Sequence, residues 1–211
     1  MRFFDYLMAS FPTALQPPEP LVRYFRWVGS QGLGVEDRYA LIDPSQNQSC
    51  VVLVPVEPWL QDVDQSTADR LAPFCRTGGD GSLAALWSDD AGEIRVVHLG
   101  SGSGSVMVGV LAWNAIDFLR LLAIGYDELC WPEQHASTPM QAFIDNNGKP
   151  DEWDEDATPP IAPSALRRWL VQEFAVNVPE TAAEIVGPMS RYGDGDSRDP
   201  FCRWLAKVQG W

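Results

Sequence analysis

The chain has 211 residues, of which 45% are hydrophobic and 11% are aromatic. This supply of apolar side chains is enough for one buried core and predicts a single domain spanning 1–211. The 29 acidic residues outnumber the 15 basic ones and give a formal net charge of −14. Such a molecule repels nucleic-acid phosphates and anionic membrane surfaces, so we expect neither as a partner and expect a cationic protein instead.

The sequence shows neither a recognisable signal peptide nor a cysteine motif. Asp5 interrupts the mildly apolar N-terminal stretch and no A-x-A cleavage site follows it, which predicts a cytoplasmic protein. The cysteines Cys50, Cys75, Cys130 and Cys202 are dispersed and form no C-x-x-C pair. We therefore expect free thiols, no metal site and no cofactor.

The first half of the chain predicts a short helix followed by a sheet. Apolar residues at helical spacing indicate a helix within 1–15, and the prolines of 17–20 indicate a stiff connector. Residues 21–28 fit a helix or a strand, and 58–70 fit a loop or a short helix. Short β-branched or aromatic runs predict strands at 39–42, 50–56, 83–87, 94–99 and 106–111. The spacing of the last three is typical of an antiparallel meander.

The second half predicts helices. Residues 113–123 have one apolar face, and Gly125 is a suitable C-terminal stop. Proline-containing starts predict further helices at 165–174, 179–186 and 201–208, within a C-terminal helical region of 163–211. Residues 132–162 are rich in Pro, Asn, Gly and acids, and indicate no regular element. We expect the side chains of Trp27, Trp87, Trp113, Trp169 and Trp204 to pack in the core.

An acidic loop is predicted at 145–162, where five of the six residues 151–156 are acidic. A charge run of this kind is typical of a solvated loop. An aromatic side chain flanked by acids also fits an interface anchor with a charged rim. Our hypothesis is a partner-binding surface that consists of Asp151, Glu152, Trp153, Asp154 and Glu155. In the alternative interpretation, the tryptophan folds back onto the core.

Motifs for catalysis are weak. His98 lies in a predicted strand and His135 follows a turn, and the serines of 100–105 do not match G-x-S-x-G. The same glycine-rich stretch lacks the lysine and the following helix of a phosphate-binding loop. We therefore expect two structural histidines and no catalytic residue, with a small hydrolase using His98 or His135 as the alternative.

The segment 70–130 contains an ordered set of motifs. These are Asp80-Gly81 in a turn, Leu86-Trp87 in a strand, Ala112 and Asn114 at a strand–helix step, and Asp117-Phe118-Leu119 in a helix. This order resembles the SUKH superfamily, which includes bacterial immunity proteins and a yeast cell-wall synthesis regulator. The resemblance is strongest over 70–130 and looser over the C-terminal helices.

The resemblance implies an α+β fold in which helices pack against a mixed or mainly antiparallel sheet within a single domain. It also implies a non-enzymatic role. Bacterial members bind a co-encoded toxin, often a nuclease, in the cytoplasm of the producing cell and block it. The expected function is therefore that of an immunity protein that occludes a basic toxin domain. A regulatory scaffold related to cell-wall synthesis control is the alternative that the resemblance also allows.

Overall fold

Eight strands, arranged in the order of the sequence, form one sheet at the centre of the molecule. The computed structural model describes residues 3–35, 39–41, 50–52, 58–153 and 157–211. The strands are β1 Gly34–Val35, β2 Tyr39–Leu41, β3 Cys50–Val52, β4 Leu71–Arg76, β5 Leu83–Ser88, β6 Ile94–Leu99, β7 Met107–Ala112 and β8 Ser190–Arg191. The helices are α1 Phe3–Ala9, α2 Glu19–Ser30, α3 Gln65–Ala68, α4 Ala115–Leu122, α5 Pro139–Asn147, α6 Ser164–Phe174 and α7 Pro200–Gln209. Neighbouring strands are antiparallel throughout.

Both faces of the sheet are covered by helices. Along β5, Ala84 and Leu86 face the core formed with α1, α2, α4 and α6, whereas Leu83, Ala85 and Trp87 face a second core formed with α7. Side chains alternate between the two faces of a strand, so a strand buried on both faces is apolar at nearly every position. This explains why β5, β6 and β7 are recognisable from the sequence as apolar runs.

The predicted α+β single-domain arrangement with an antiparallel sheet is confirmed. The meander predicted over 83–111 is also present, as the paired strands β5, β6 and β7. Among the described residues, no helix is long and apolar enough to cross a membrane.

Strand β4 is missing from the sequence prediction because it contains a proline. The register of its pairing with β5 shifts between Pro73 and Cys75, which places Pro73 beside a β-bulge. Proline in a sheet is confined to edges and bulges, so its presence argues against a central strand. Phe74, at the bulge, is fully buried, and its ring centroid lies 5.4 Å from that of Phe118.

Two other proline-containing segments also differ from the prediction. The stiff connector expected at 17–20 is wrong in part, because α2 begins at Glu19 with Pro20 in its first turn. Proline is tolerated there because the first helical N–H groups have no partner within the helix. Helix α5 lies in the region 132–162, where no regular element was expected.

The helix expected over 179–186 is reduced to one 3-10 turn, Ala182–Glu184. Its backbone donors are already used by tertiary bonds: Ala182 N–H donates to the Tyr126 hydroxyl at 3.0 Å, and Ala183 N–H donates to the His135 carbonyl at 2.8 Å. These bonds attach the segment to the rest of the core and explain why it does not continue as a helix.

The prediction that five tryptophan side chains pack in the core is correct for four of them. Trp87 and Trp204 are buried, and Trp27 and Trp169 are partly buried. Trp113 is 48% exposed, so the core position expected for it is wrong. It lies between β7 and α4, and the Arg95 guanidinium lies over its ring, 5.1 Å from the centroid.

Three of the cysteines, Cys75, Cys130 and Cys202, are buried free thiols, as the sequence predicts. The side chain of Cys50 lies outside the described residues.

Candidate functional site

The described residues of 125–161 form an acidic face near the turn that joins β4 to β5. Helix α4 ends at Leu122 and is followed by Gly125, which has a φ of 94° and where a Cβ would lie 2.7 Å from Cδ of Pro163. The Leu129 N–H then donates to the carbonyl of Thr77, just beyond the end of β4, at 2.7 Å. This bond fixes residues 125–131 across the end of the sheet.

Helix α5 forms the second side of this face. The Thr138 hydroxyl accepts a hydrogen bond from the N–H of Gln141 and caps the helix, and Pro139 occupies the first turn. Gly148, with a φ of 78°, ends the helix and turns the chain. The following residues therefore return along α5 instead of extending away from it.

A cavity of about 350 Å³ lies between residues 125–131, helix α5 and residues 157–161. Its aromatic lining consists of Tyr126, Trp131 and Phe143, and its carboxylates are Asp127 and Glu128. Ligand pockets typically measure about 300–1,000 Å³ and combine aromatic walls with a few polar groups. The cavity is at the small end of that range, so a side chain or a small molecule would fit.

The two carboxylates in the cavity have different surroundings. Glu128 accepts hydrogen bonds from the Gly79 N–H and from the Trp131 indole N–H, so both of its oxygens are engaged. Asp127 forms no hydrogen bond or ion pair within the described part of the chain. Burial, and then the negative charge of Glu128, raise the pKa of Asp127 above its usual value. A cation placed beside Asp127 would relieve both effects.

The charge of the acidic face is large relative to that of the molecule. Among the described residues of 125–161, six are acidic and one, Lys149, is basic, so these residues carry a formal −5 of the total −14. Two exposed apolar side chains accompany it: Met140 is 42% exposed and Ile161 is 59% exposed. Apolar contacts surrounded by charges are the composition of a protein interface.

Three of the residues predicted to bind a partner, Asp151, Glu152 and Trp153, are described and follow the end of α5. Asp151 and Glu152 are exposed, and Glu152 accepts a hydrogen bond from the Lys149 N–H at 2.8 Å. Asp154 and Glu155 lie outside the described residues. The partner-binding role of these residues stays a prediction.

Trp153 folds back onto α5, outside both hydrophobic cores. It is half-buried, and its indole N–H donates to the carbonyl of Gly148 at 2.8 Å. Its ring meets that of Phe143 edge-on, with centroids 5.1 Å apart and an interplanar angle of 86°. Trp153 therefore supports a wall of the cavity.

Sequence reasoning missed Asp127, Glu128, Trp131 and Phe143. A signal for α5 was present, because Thr138-Pro139 is a typical helix start and Gly148 a typical helix end. The two carboxylates had no comparable signal, since the cavity forms only when 125–131, α5 and 157–161 meet in space.

A second polar cluster is buried near the same end of the sheet. His98 is fully buried, its Nε2 lies 3.4 Å from the Ser105 hydroxyl oxygen, and its Nδ1 has no partner. Burial, and then the charge of His135, lower the pKa of His98 to about 3. Burial also lowers the pKa of His135, whose Nε2 lies 3.1 Å from the Leu129 carbonyl oxygen. The two imidazoles are therefore neutral at pH 7.

The two histidines of the hydrolase alternative are both buried, and neither lines the cavity described above. Burial and the negative charges of Glu128 and Asp80 raise the pKa of the nearby Cys130 thiol, which is the opposite of what a nucleophilic thiolate needs. Within the described ranges, no three His, Cys, Asp or Glu side chains form a group that could hold a metal ion.

Comparison with known proteins found no family model, no curated protein and no solved structure that matches this chain. The resemblance to the SUKH superfamily therefore stays a prediction.

Proposed function

We propose that this chain is a non-enzymatic binding protein whose acidic face holds a cationic protein. We further propose that this partner is a toxin and that the acidic face covers its basic active cleft. The observation that carries the proposal is Asp127, an exposed carboxylate that lines the cavity and has no counter-charge among the described residues, on a face whose described residues carry a formal charge of −5.

Electrostatics supports association with a basic surface. A face of this charge attracts a cationic protein over several ångströms and increases the rate of encounter. The exposed side chains of Met140 and Ile161 would then supply apolar contact once the partner has docked. Nucleases have cationic clefts because they bind phosphates, so they are suitable partners.

The resemblance to the SUKH superfamily supports the immunity role. Its motifs lie on elements in the implied order: Asp80-Gly81 in the turn before β5, Leu86-Trp87 in β5 and Asp117–Leu119 in α4. The bacterial proteins that this segment resembles block co-encoded toxins by binding them.

The test is affinity capture of the tagged chain from its native cells, with salt elution and mass spectrometry. The wild type is compared with Asp151→Lys on the acidic face. We expect one basic polypeptide, at near-equal amount, in the wild-type eluate and a strong loss of it with Asp151→Lys. Added at equal amount, the wild type should also inhibit the enzymatic activity of that polypeptide.

Glu93→Lys is the matched control. Glu93 is exposed in the hairpin between β5 and β6, at the opposite end of the strands from the acidic face, and the substitution changes the charge by the same amount. Equal capture by the wild type and both variants would contradict the assignment of the face. Many weakly held polypeptides, or none, would contradict the immunity role.

A further inference from the structure

The geometry points to a specific occupant for the cavity, and this inference rests on the function proposed above. We propose that the cavity receives the side chain of one arginine of the cationic partner. Its guanidinium lies against the Asp127 carboxylate, and its planar face lies against the aromatic wall.

The carboxylate is the first part of the argument. Asp127 lines the cavity, is exposed to solvent at its mouth, and has no donor directed at it within the described residues. Its neighbour Glu128 adds negative charge, although its own oxygens are engaged by Gly79 and Trp131. A cationic donor that enters the cavity therefore finds one carboxylate free to accept two hydrogen bonds.

The aromatic wall is the second part. The indole of Trp131 is held by its hydrogen bond to Glu128, and the ring of Phe143 is held by its edge-on contact with Trp153. Two fixed rings beside a free carboxylate form a preorganised site, because little side-chain freedom is lost when a ligand enters.

The combination favours arginine over lysine. A guanidinium is planar, pairs with a carboxylate through two parallel N–H groups and stacks on aromatic faces. A lysine ammonium is a compact, strongly hydrated charge. It pairs less well than a guanidinium with both carboxylate oxygens at once, and it has no planar face to stack on the aromatic rings. Buried arginines are also common anchors of protein interfaces.

The test uses three small probes and NMR titration of the isotopically labelled full chain. The probes are N-acetyl-arginine methylamide, its lysine counterpart and its uncharged citrulline counterpart. We expect saturable shifts of the amides of 125–131 and 142–147 with the arginine probe, weaker binding of the lysine probe and none of the citrulline probe. Nuclear Overhauser contacts should join the probe's side-chain protons to the rings of Trp131 and Phe143.

Asp127→Asn is the decisive variant. Losing a charge-assisted pair should weaken binding of the arginine probe by roughly tenfold or more. Asp145→Asn is the matched control, because Asp145 is exposed on α5 outside the cavity and the same charge is removed. It should change the affinity by less than about twofold, since Asp145 does not line the cavity and acts on the probe only through solvent.

Three results would overturn the inference: no saturable shift with the arginine probe, equal binding of the lysine or citrulline probe, or unchanged binding in Asp127→Asn. Because Asp127 forms no bond with the other described residues, its variant should keep the wild-type spectrum away from the cavity. If the arginine probe binds but no toxin is captured, the proposed function fails and the subsite stands. If capture depends on Asp151 but the probe does not bind, the subsite fails and the proposed function stands.

Discussion

Asp80 shows how one side chain can fix a loop that composition alone would leave mobile. Its carboxylate accepts hydrogen bonds from the N–H and hydroxyl of Ser82, the hydroxyl of Ser101 and the N–H of Ser105, at 2.8 to 2.9 Å. Burial would raise the pKa of Asp80, but these bonds outweigh it and lower the pKa to about 2. The glycine- and serine-rich connection between β6 and β7 is thereby tied to the turn between β4 and β5.

We predict that Asp80→Ala lowers the free energy of unfolding by about 1–3 kcal/mol, because several donors lose a charged acceptor. Urea unfolding at pH 7 would measure the loss. Asp90→Ala removes a carboxylate from an exposed hairpin, where it forms only a surface ion pair with Arg70, and should cost much less. A loss no larger for Asp80→Ala than for Asp90→Ala would contradict the role assigned to this carboxylate.

His98 gives the molecule a pH dependence with a defined sign. Its pKa is about 3 in the folded chain, against an ordinary value of 6.5. Between these values the unfolded chain binds more protons, so the free energy of unfolding decreases as the pH falls below 6.5. We predict that His98→Gln reduces this slope by up to about 1.4 kcal/mol per pH unit.

Urea unfolding of the wild type and His98→Gln at pH values between about 5 and 6.5 would measure the two slopes. The slope reports protonation, so it stays informative even if the substitution lowers stability at every pH. Identical slopes would show that His98 takes up its proton equally in both states.

Among the elements, α7 depends on a bond that reaches outside the helix. Asp199 caps it by accepting from the Cys202 N–H at 2.9 Å, and its other oxygen accepts from the Val110 N–H of β7 at 2.8 Å. Strand β8 pairs only with Met107 and Val108, so it does not reach Val110. The Asp199 carboxylate therefore accepts the hydrogen bond of a β7 backbone N–H that lies beyond the end of β8.

We predict that Asp199→Asn destabilises the protein by about 1–3 kcal/mol, because an amide can keep the cap but turns an N–H₂ group toward Val110. Hydrogen exchange of the Val110 amide should accelerate together with the loss of thermal stability. Thr138→Ala is the control, because it removes a cap that serves α5 alone. It should lower the free energy of unfolding by about 1 kcal/mol. The rate of Val110 amide exchange, relative to that expected from global unfolding, should not change. Unaltered protection of Val110 in Asp199→Asn would contradict the bridge.

The elements that the sequence predicts well are those whose burial follows a local pattern. Strands β5, β6 and β7 are apolar runs between turn residues, and α4 has both an apolar face and the cap Asn114. Strand β4 is hidden by Pro73, whose place at a bulge depends on the neighbouring strand. The run of acidic residues at 151–156 shows in the sequence where negative charge is concentrated. No sequence pattern predicts the hydrogen bond between Leu129 and Thr77, which helps to form the cavity.

At the scale of the molecule, the net charge of −14 is a source of self-repulsion. We predict that the midpoint of thermal unfolding at pH 7 rises as sodium chloride is increased from about 0.02 M to about 0.5 M, because salt screens this repulsion. The same titration near pH 4.4, the sequence isoelectric point, is the control and should show a much smaller rise. A midpoint independent of salt at pH 7 would contradict a role for net repulsion.

The order of the strands also determines how the chain folds while it is being synthesised. Strands β4 to β7 pair with their neighbours in the sequence, so each of their hairpins closes over a short loop and can form as soon as its second strand is available. The pairing of β7 with β8 and the cover provided by α7 instead join residues more than eighty positions apart. Until residues 190–209 leave the ribosome, one edge of the sheet and the apolar side chains beneath α7 face solvent, and the nascent chain passes through a stage that favours aggregation or chaperone binding.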